Sequence, residues 1–271
     1  MKKSLVSVCA VLAVLALFAG CAPKPLVVSD TGVPTIRAGV LSVGMEIGYP
    51  PMEYYDADGT TPIGFDVLLA KALGEKLGLP VEFEDTSWDG IFAGLETSKY
   101  DMIISSVTIT GARQEKYIFP QAYISNAQSI VLPEGSTQSI TGLESLAGMR
   151  VAYQADTTSD DIMTELAEGG LSFTAFEYDK VMNCFDELRT GRVDVIVCDS
   201  VVAYYYEANP AYTVNIVWEG EGEELGICIR GGNAALGDAV SEALDELFAD
   251  GTVQEISRQV FGRDIVSQVR P

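Results

Sequence analysis

The amino-acid sequence predicts a two-lobed α/β protein, each lobe a mostly parallel sheet flanked by helices. Three observations carry that expectation. The chain has 271 residues, long enough that one core tends to divide into two. Strand-like and helix-like segments alternate between residues 37 and 105, the rhythm of a parallel sheet with helices on its faces. The alternation lapses over residues 122–148 and resumes at residue 150.

In the first half, residues 37–45 read as a strand. Residues 65–77 read as a helix, apolar at helical spacing through Phe65, Leu68, Leu69, Ala72, Leu73 and Leu77 and closed by Gly78. Residues 81–84 form a strand, 88–96 a helix and 102–105 a strand. In the second half, 150–153, 172–176 and 193–198 read as strands, and 160–167, 180–188 and 201–207 as helices. A strand over 213–217 follows, then a glycine-rich stretch over 220–226 and a strand over 227–230. Two helices, 234–249 and 253–261, close the chain on either side of Asp250-Gly251.

Composition removes several functions. Hydrophobic residues make up 48% and charged residues 21%, an ordinary globular profile. There are 17 Lys plus Arg against 39 Asp plus Glu, a formal charge of -22 that repels phosphate backbones, so no nucleic-acid partner is expected. Histidine is absent, which removes the commonest general base, the commonest zinc ligand and every Ser-His or Cys-His nucleophile. No metal site and no cofactor is signalled.

The N-terminus has Lys2 and Lys3, an apolar run over residues 5–19, and the small pair Ala19-Gly20 before Cys21. The run falls short of the about 20 residues of a comfortable membrane span and suits a signal peptide over 1–20, with a short membrane anchor as the other reading. Phe18-Ala19-Gly20-Cys21 resembles a bacterial lipobox, with Phe where Leu is usual. The resemblance implies an exported protein lipidated on Cys21 and held at the outer face of the membrane, or in the periplasm. Removing residues 1–20 takes away two lysines and no acid, leaving 15 basic against 39 acidic residues. Residues 21–35 suit a tether. Cys184, Cys198 and Cys228 lie in apolar runs without a C-x-x-C, so buried free thiols are expected, and a Cys184–Cys198 bridge stays open.

Open α/β sheets take ligands at the carboxyl ends of their parallel strands. After the strand at 102–105 comes a run of hydroxyls ending in Arg113, whose planar fork matches a carboxylate. After 150–153 come Gln154, Thr157 and Thr158, the threonines reading as capping boxes with Asp160 and Asp161. Asp199 follows 193–198 and either caps the next helix or meets an ammonium group. With Arg113 it complements a zwitterion. Glu46 and Tyr49 follow the first strand, beside the rigid Pro50-Pro51, and Trp88 follows the strand at 81–84; the two aromatics are core filling or flank a ligand side chain.

Tyr49-Pro50-Pro51-Met52, Gly64-Phe65-Asp66-Val67, Trp88-Asp89-Gly90, Tyr100-Asp101 through Thr110, Arg113, Gly191-Arg192-Val193-Asp194 with Asp199, and Ala249-Asp250-Gly251-Thr252 together resemble the polar amino-acid-binding proteins of ABC importers. The resemblance spans residues 36–262. It implies a type II periplasmic binding protein fold with two crossing strands as hinge, the first lobe from 36–124 plus 226–268 and the second from 125–225. It implies that Arg113 binds the ligand's carboxylate, assisted by Ser106 and Thr158. Thr108 and Asp199 would hold the ammonium, and Glu46, Tyr49, Trp88, Ser105, Gln154 and Thr157 would line the wall. Asp156 stands where the family commonly has Gly, and Glu46 where Asp is more frequent.

The implied partners are a free amino acid, an ABC permease and its ATPase, and the membrane through Cys21; a monomer is expected. Glu46 beside Tyr49 and Trp88 favours a cationic ligand such as Arg, Lys or His, with Gln next. Two other readings share the fold: a dehydratase of cyclohexadienyl acids using Glu46 or Glu53 as general acid, and a ligand-presenting sensor component.

Overall fold

The computed structural model describes residues 24–267 and 269; the expected signal segment and Cys21 lie outside the described residues. Five strands make the first sheet: β1 (Leu41–Met45), β2 (Val81–Asp85), β3 (Met102–Ile103), β4 (Tyr117–Ile118) and, from late in the chain, β10 (Cys228–Arg230). Their order is β2-β1-β3-β10-β4. All five residues of β1 are buried, as a central strand covered on both faces requires. Strands β2 and β3 flank it in parallel, and β10 runs antiparallel to β3 and β4.

The second sheet contains β5 (Ala122–Pro133), β6 (Arg150–Gln154), β7 (Thr174–Tyr178), β8 (Val195–Asp199) and β9 (Val214–Gly226), in the order β7-β6-β8-β5-β9. Its first three strands are parallel and repeat the arrangement of β2-β1-β3. Both lobes therefore turn the carboxyl ends of three parallel strands toward a common gap.

Helices α1 (Phe65–Leu77), α2 (Trp88–Glu96) and the single turn α3 (Gly111–Gln114) follow β1, β2 and β3. Helices α4 (Thr158–Glu168), α5 (Val181–Arg189) and α6 (Ser200–Ala208) follow β6, β7 and β8, and α7 (Ala234–Ala249) and α8 (Thr252–Phe261) return to pack on α1. Helix α1 starts after Gly64, at φ 121, where an added Cβ would stand 2.3 Å from the Met52 carbonyl oxygen. It ends on Gly78 in the left-handed region, whose N–H and that of Leu79 close onto the last carbonyls.

Strands β5 and β9 join the lobes. They pair antiparallel from Val214 opposite Pro133 to Gly226 opposite Ala122. Their first-lobe end is tied down by Ile109 N–H to Glu224 O (2.8 Å) and Gly226 N–H to Val107 O (2.9 Å). Here the sequence reading needs two corrections. Residues 122–148, read as a transition, contain the twelve-residue β5. Residues 220–226, read as a glycine-rich stretch between two strands, continue β9 through register shifts, because glycine in a strand also marks a bulge.

Of the stretch read as a tether, Val27–Val28 pairs with Pro34–Thr35, Val33 and Thr35 are buried, and the Asn233 amide donates to Pro34 O. Cys184, Cys198 and Cys228 are buried free thiols.

Candidate functional site

The eleven residues singled out at strand ends line one cavity between the lobes, and Glu53 joins them. Glu46 leaves β1 with its N–H on Ser105 Oγ (3.0 Å), while its carboxylate accepts from Gln154 Nε2 (2.7 Å) at the tip of β6. The turn after it, closed by Tyr49 N–H to Glu53 O (2.8 Å) and Met52 N–H to Tyr49 O (2.9 Å), aims the Tyr49 hydroxyl across the gap to donate to Asp199 Oδ2 (2.7 Å). Trp88 opens α2 and donates its indole N–H to Asp156 O (2.8 Å) in the opposite lobe. Thr108 and Thr158 meet hydroxyl to hydroxyl at 3.4 Å, and Lys180 Nζ lies 3.5 Å from Ile47 O.

Arg113 reaches the cavity from α3. Its Nη1 donates to Thr108 O (2.9 Å), and its guanidinium lies over the rings of Trp88 (5.6 Å) and Phe92 (5.1 Å). The cation on Trp88 is thus the protein's own, and the Tyr49 hydroxyl is engaged by Asp199. The two aromatics, read as core filling or as flanking a ligand side chain, both line the cavity and each contacts one charged group of the site.

Asp199 occupies the N-cap position of α6, yet its side chain makes no capping bond. It turns into the cavity, where Asn126 and Gln128 donate to Oδ1 (2.8 and 2.9 Å) and Tyr49 to Oδ2. The capping expected of Thr157 is likewise absent. Its hydroxyl donates back to Gln154 O (2.7 Å), while Asp160 accepts from the N–H of Asp156 (2.8 Å). That loop needs Asp156 at φ 59, which explains why glycine suits the position.

The cavity is acidic. Glu46, Glu53 and Asp199 face Arg113, and Lys180 also acts on Glu46. Burial pushes the Glu46 carboxyl up to about 7, against the pull of Gln154 and Lys180. Burial also raises Asp199, opposed by its three donors and by Arg113. Desolvation pulls Arg113 down, with Asp161, Asp199 and Glu223 among the anions that counter it. Ser106 Oγ and Gln154 Oε1 are buried without a protein partner. The side chains that line the cavity leave little free space between them.

Residues 41–263 match the bacterial extracellular solute-binding proteins, family 3. The chain belongs to that family. Its L-cystine-binding member TcyJ of Escherichia coli (strain K12) is 31% identical over 228 residues, 84% of each protein. An ancestral arginine-binding protein bound to arginine superposes with a TM-score of 0.78 at 38% identity, over 83% of this chain and 99% of that one. An ancestral arginine-binding protein bound to glutamine gives 0.77 at 37%, over 84% and 100%. This solute-binding protein has the two-lobed type II architecture, and its role is binding rather than catalysis. Among the described residues no helix is long and apolar enough to cross a membrane.

Sequence reasoning missed Asn126 and Gln128, which hold Asp199, because their strand was read as a transition. Their polar side chains, between the apolar stretches 122–124 and 130–132, were the available signal. Glu53 was read only as an alternative acid, and Asp66 only as part of a motif.

Proposed function

We propose that this solute-binding protein captures a polar L-amino acid between its lobes and delivers it to an ABC permease. In this reading Arg113, Ser106 and Thr158 hold the α-carboxylate, and Asp199 and Thr108 the α-ammonium. Glu46, Tyr49, Trp88, Ser105, Gln154 and Thr157 form the wall. The observation that carries it is the two-poled cavity: Arg113 and Asp199 line it together, and neither is consumed by an ion pair with the other.

A cationic side chain is favoured over a neutral one. Glu46 and Gln154 Oε1 both offer acceptors at the wall, and the carboxyls of Glu46 and Asp199 outnumber one guanidinium. Glutamine is the second choice, supported by the amide-compatible pair Glu46 and Gln154 and by the glutamine-bound ancestral relative. Three or four charge-assisted bonds at about 1.5–3 kcal/mol each supply roughly 5–12 kcal/mol, and micromolar affinity needs about 8 kcal/mol.

Delivery follows from closure. The permease reads the closed form, so ligand binding shifts the population toward the form that docks. Export with cleavage before Cys21 and lipidation of that residue would keep the protein at the membrane's outer face. The domain limits 36–124 plus 226–268 and 125–225 are those of the two moving bodies, acting as a monomer.

Calorimetry of the mature protein against the twenty amino acids tests the assignment. Arginine, lysine or histidine should give the strongest heat. An absence of binding by every amino acid, or unchanged affinity in Arg113→Ala, would refute it.

A further inference from the structure

Glu53 and Asp66 have no exposed surface. Among the described residues no Lys or Arg forms an ion pair with either. Their four oxygens divide cleanly. Glu53 Oε1 accepts from Ser105 Oγ (2.7 Å). Asp66 Oδ2 accepts from Ser106 N–H (2.8 Å) and Tyr123 O–H (2.9 Å). Glu53 Oε2 and Asp66 Oδ1 are buried and have no donor. The two side chains are brought together by the backbone: Asp66 N–H donates to Met52 O (2.9 Å), next to Glu53, and the two carboxyls accept from the consecutive residues Ser105 and Ser106.

Two ionised carboxylates brought together within a dry site repel strongly, whereas one proton between them satisfies both orphaned oxygens. We propose that Glu53 and Asp66 share a single proton and, as one unit, position Ser105 and Ser106 at the cavity wall. The proton sits on Glu53 Oε2 and is donated to Asp66 Oδ1, because the two donors on Asp66 Oδ2 favour the negative charge there. A directed chain results: Glu53 O–H donates to Asp66, Ser105 O–H to Glu53, and Glu46 N–H to Ser105. The bond from Ser106 N–H holds that residue at φ 49, with its unpartnered hydroxyl among the groups lining the cavity. The titratable groups facing the pair are Glu46 and Tyr123, and burial beside Asp66 and Glu53 keeps the Tyr123 hydroxyl a donor.

The positioning role rests on the amino-acid-binding reading, and the shared proton does not. Infrared difference spectra of wild type minus Glu53→Gln at pH 8, where most of Glu46 is ionised, should show the C=O band of a protonated carboxyl. Absence of that band overturns the shared proton. Urea denaturation supplies a second reading without ligand. The native pair keeps a proton that the unfolded chain loses, so wild type should lose more stability than Glu53→Gln between pH 5 and 8; parallel profiles overturn the proposal. For positioning, L-arginine should bind Glu53→Gln at least tenfold tighter than Glu53→Ala, since the amide keeps both bonds. Equal affinities overturn it. Failure of wild type itself to bind arginine counts against the ligand assignment, while the infrared and denaturation readings still decide the proton.

Discussion

Glu46 should announce the charge of the ligand by releasing a proton. Its carboxyl, ordinarily near 4.5, stands at about 7 because burial in the gap disfavours the ion more than Gln154 and Lys180 favour it. At pH 6 the native side chain is therefore about 0.9 protonated. A guanidinium or ammonium brought against it stabilises the ion and pulls the pKa down, so a cationic amino acid should expel close to one proton per site. A neutral amide should expel little. Calorimetry at pH 6 in buffers of different ionisation heat reads this number directly, and Glu46→Gln should abolish it. The same shift fixes a stability term. Because the native pKa lies above the unfolded one, the native state binds more protons between them, and stability falls as pH rises from about 4.5 through 7. Each tenfold change in proton affinity is worth about 1.4 kcal/mol, so the loss is about 3 kcal/mol, and Glu46→Gln should flatten that part of the profile. Proton release equal for arginine and glutamine, or a pH profile unchanged in Glu46→Gln, would refute the reasoning.

The other tests are simpler. Arg113→Lys should weaken amino-acid binding at least about tenfold in calorimetry, because an ammonium keeps the charge but loses the fork and the stacking on Trp88 and Phe92. Asp199→Asn should weaken binding by a similar factor while leaving the urea midpoint at pH 7 unchanged or higher, since burial already disfavours the carboxylate. Gly64→Ala should cost about 3 kcal/mol of stability or more, measured by thermal melting, because the Cβ would lie 2.3 Å from the Met52 carbonyl oxygen at a φ that L residues avoid.

Much of the architecture was legible because its signals are local. The period of α1, the Gly78 stop and the recurrent strand-helix rhythm all depend on neighbours in sequence. The post-strand rule gathered Glu46, Trp88, Arg113, Gln154 and Asp199 without knowing how the lobes face each other. What escaped was non-local. β5 is stabilised by pairing with β8 and with β9, more than 60 and 80 positions away, and its mixed polarity reflects one stretch serving both sheet core and cavity. Capping was misjudged at Thr157, and of the two readings open for Asp199 the helix cap fails, for a related reason. A hydroxyl or carboxylate at a helix start has several partners within reach, and here a carbonyl of the preceding loop and donors from a distant strand outcompete the helix amides.

The tightness of the cavity changes how affinity should be understood. With so little free space in the cavity, an amino acid cannot enter the lobes as they stand. Glu46 to Gln154, Tyr49 to Asp199, Trp88 to Asp156 and Thr108 to Thr158 already bridge the gap. A ligand must therefore replace some of these bonds rather than add to them, and its net gain is the difference between its own charge-assisted bonds and the protein's internal ones. Glu46 to Gln154 is the bond whose exchange most rewards a cation, because an ammonium or guanidinium neutralises a buried charge that the Gln154 amide can only solvate. Selectivity then arises from which internal bond is surrendered. Gln154→Ala should accordingly widen the preference for arginine over glutamine in calorimetry, by removing a donor that competes with a cation for Glu46 and that an amide ligand uses.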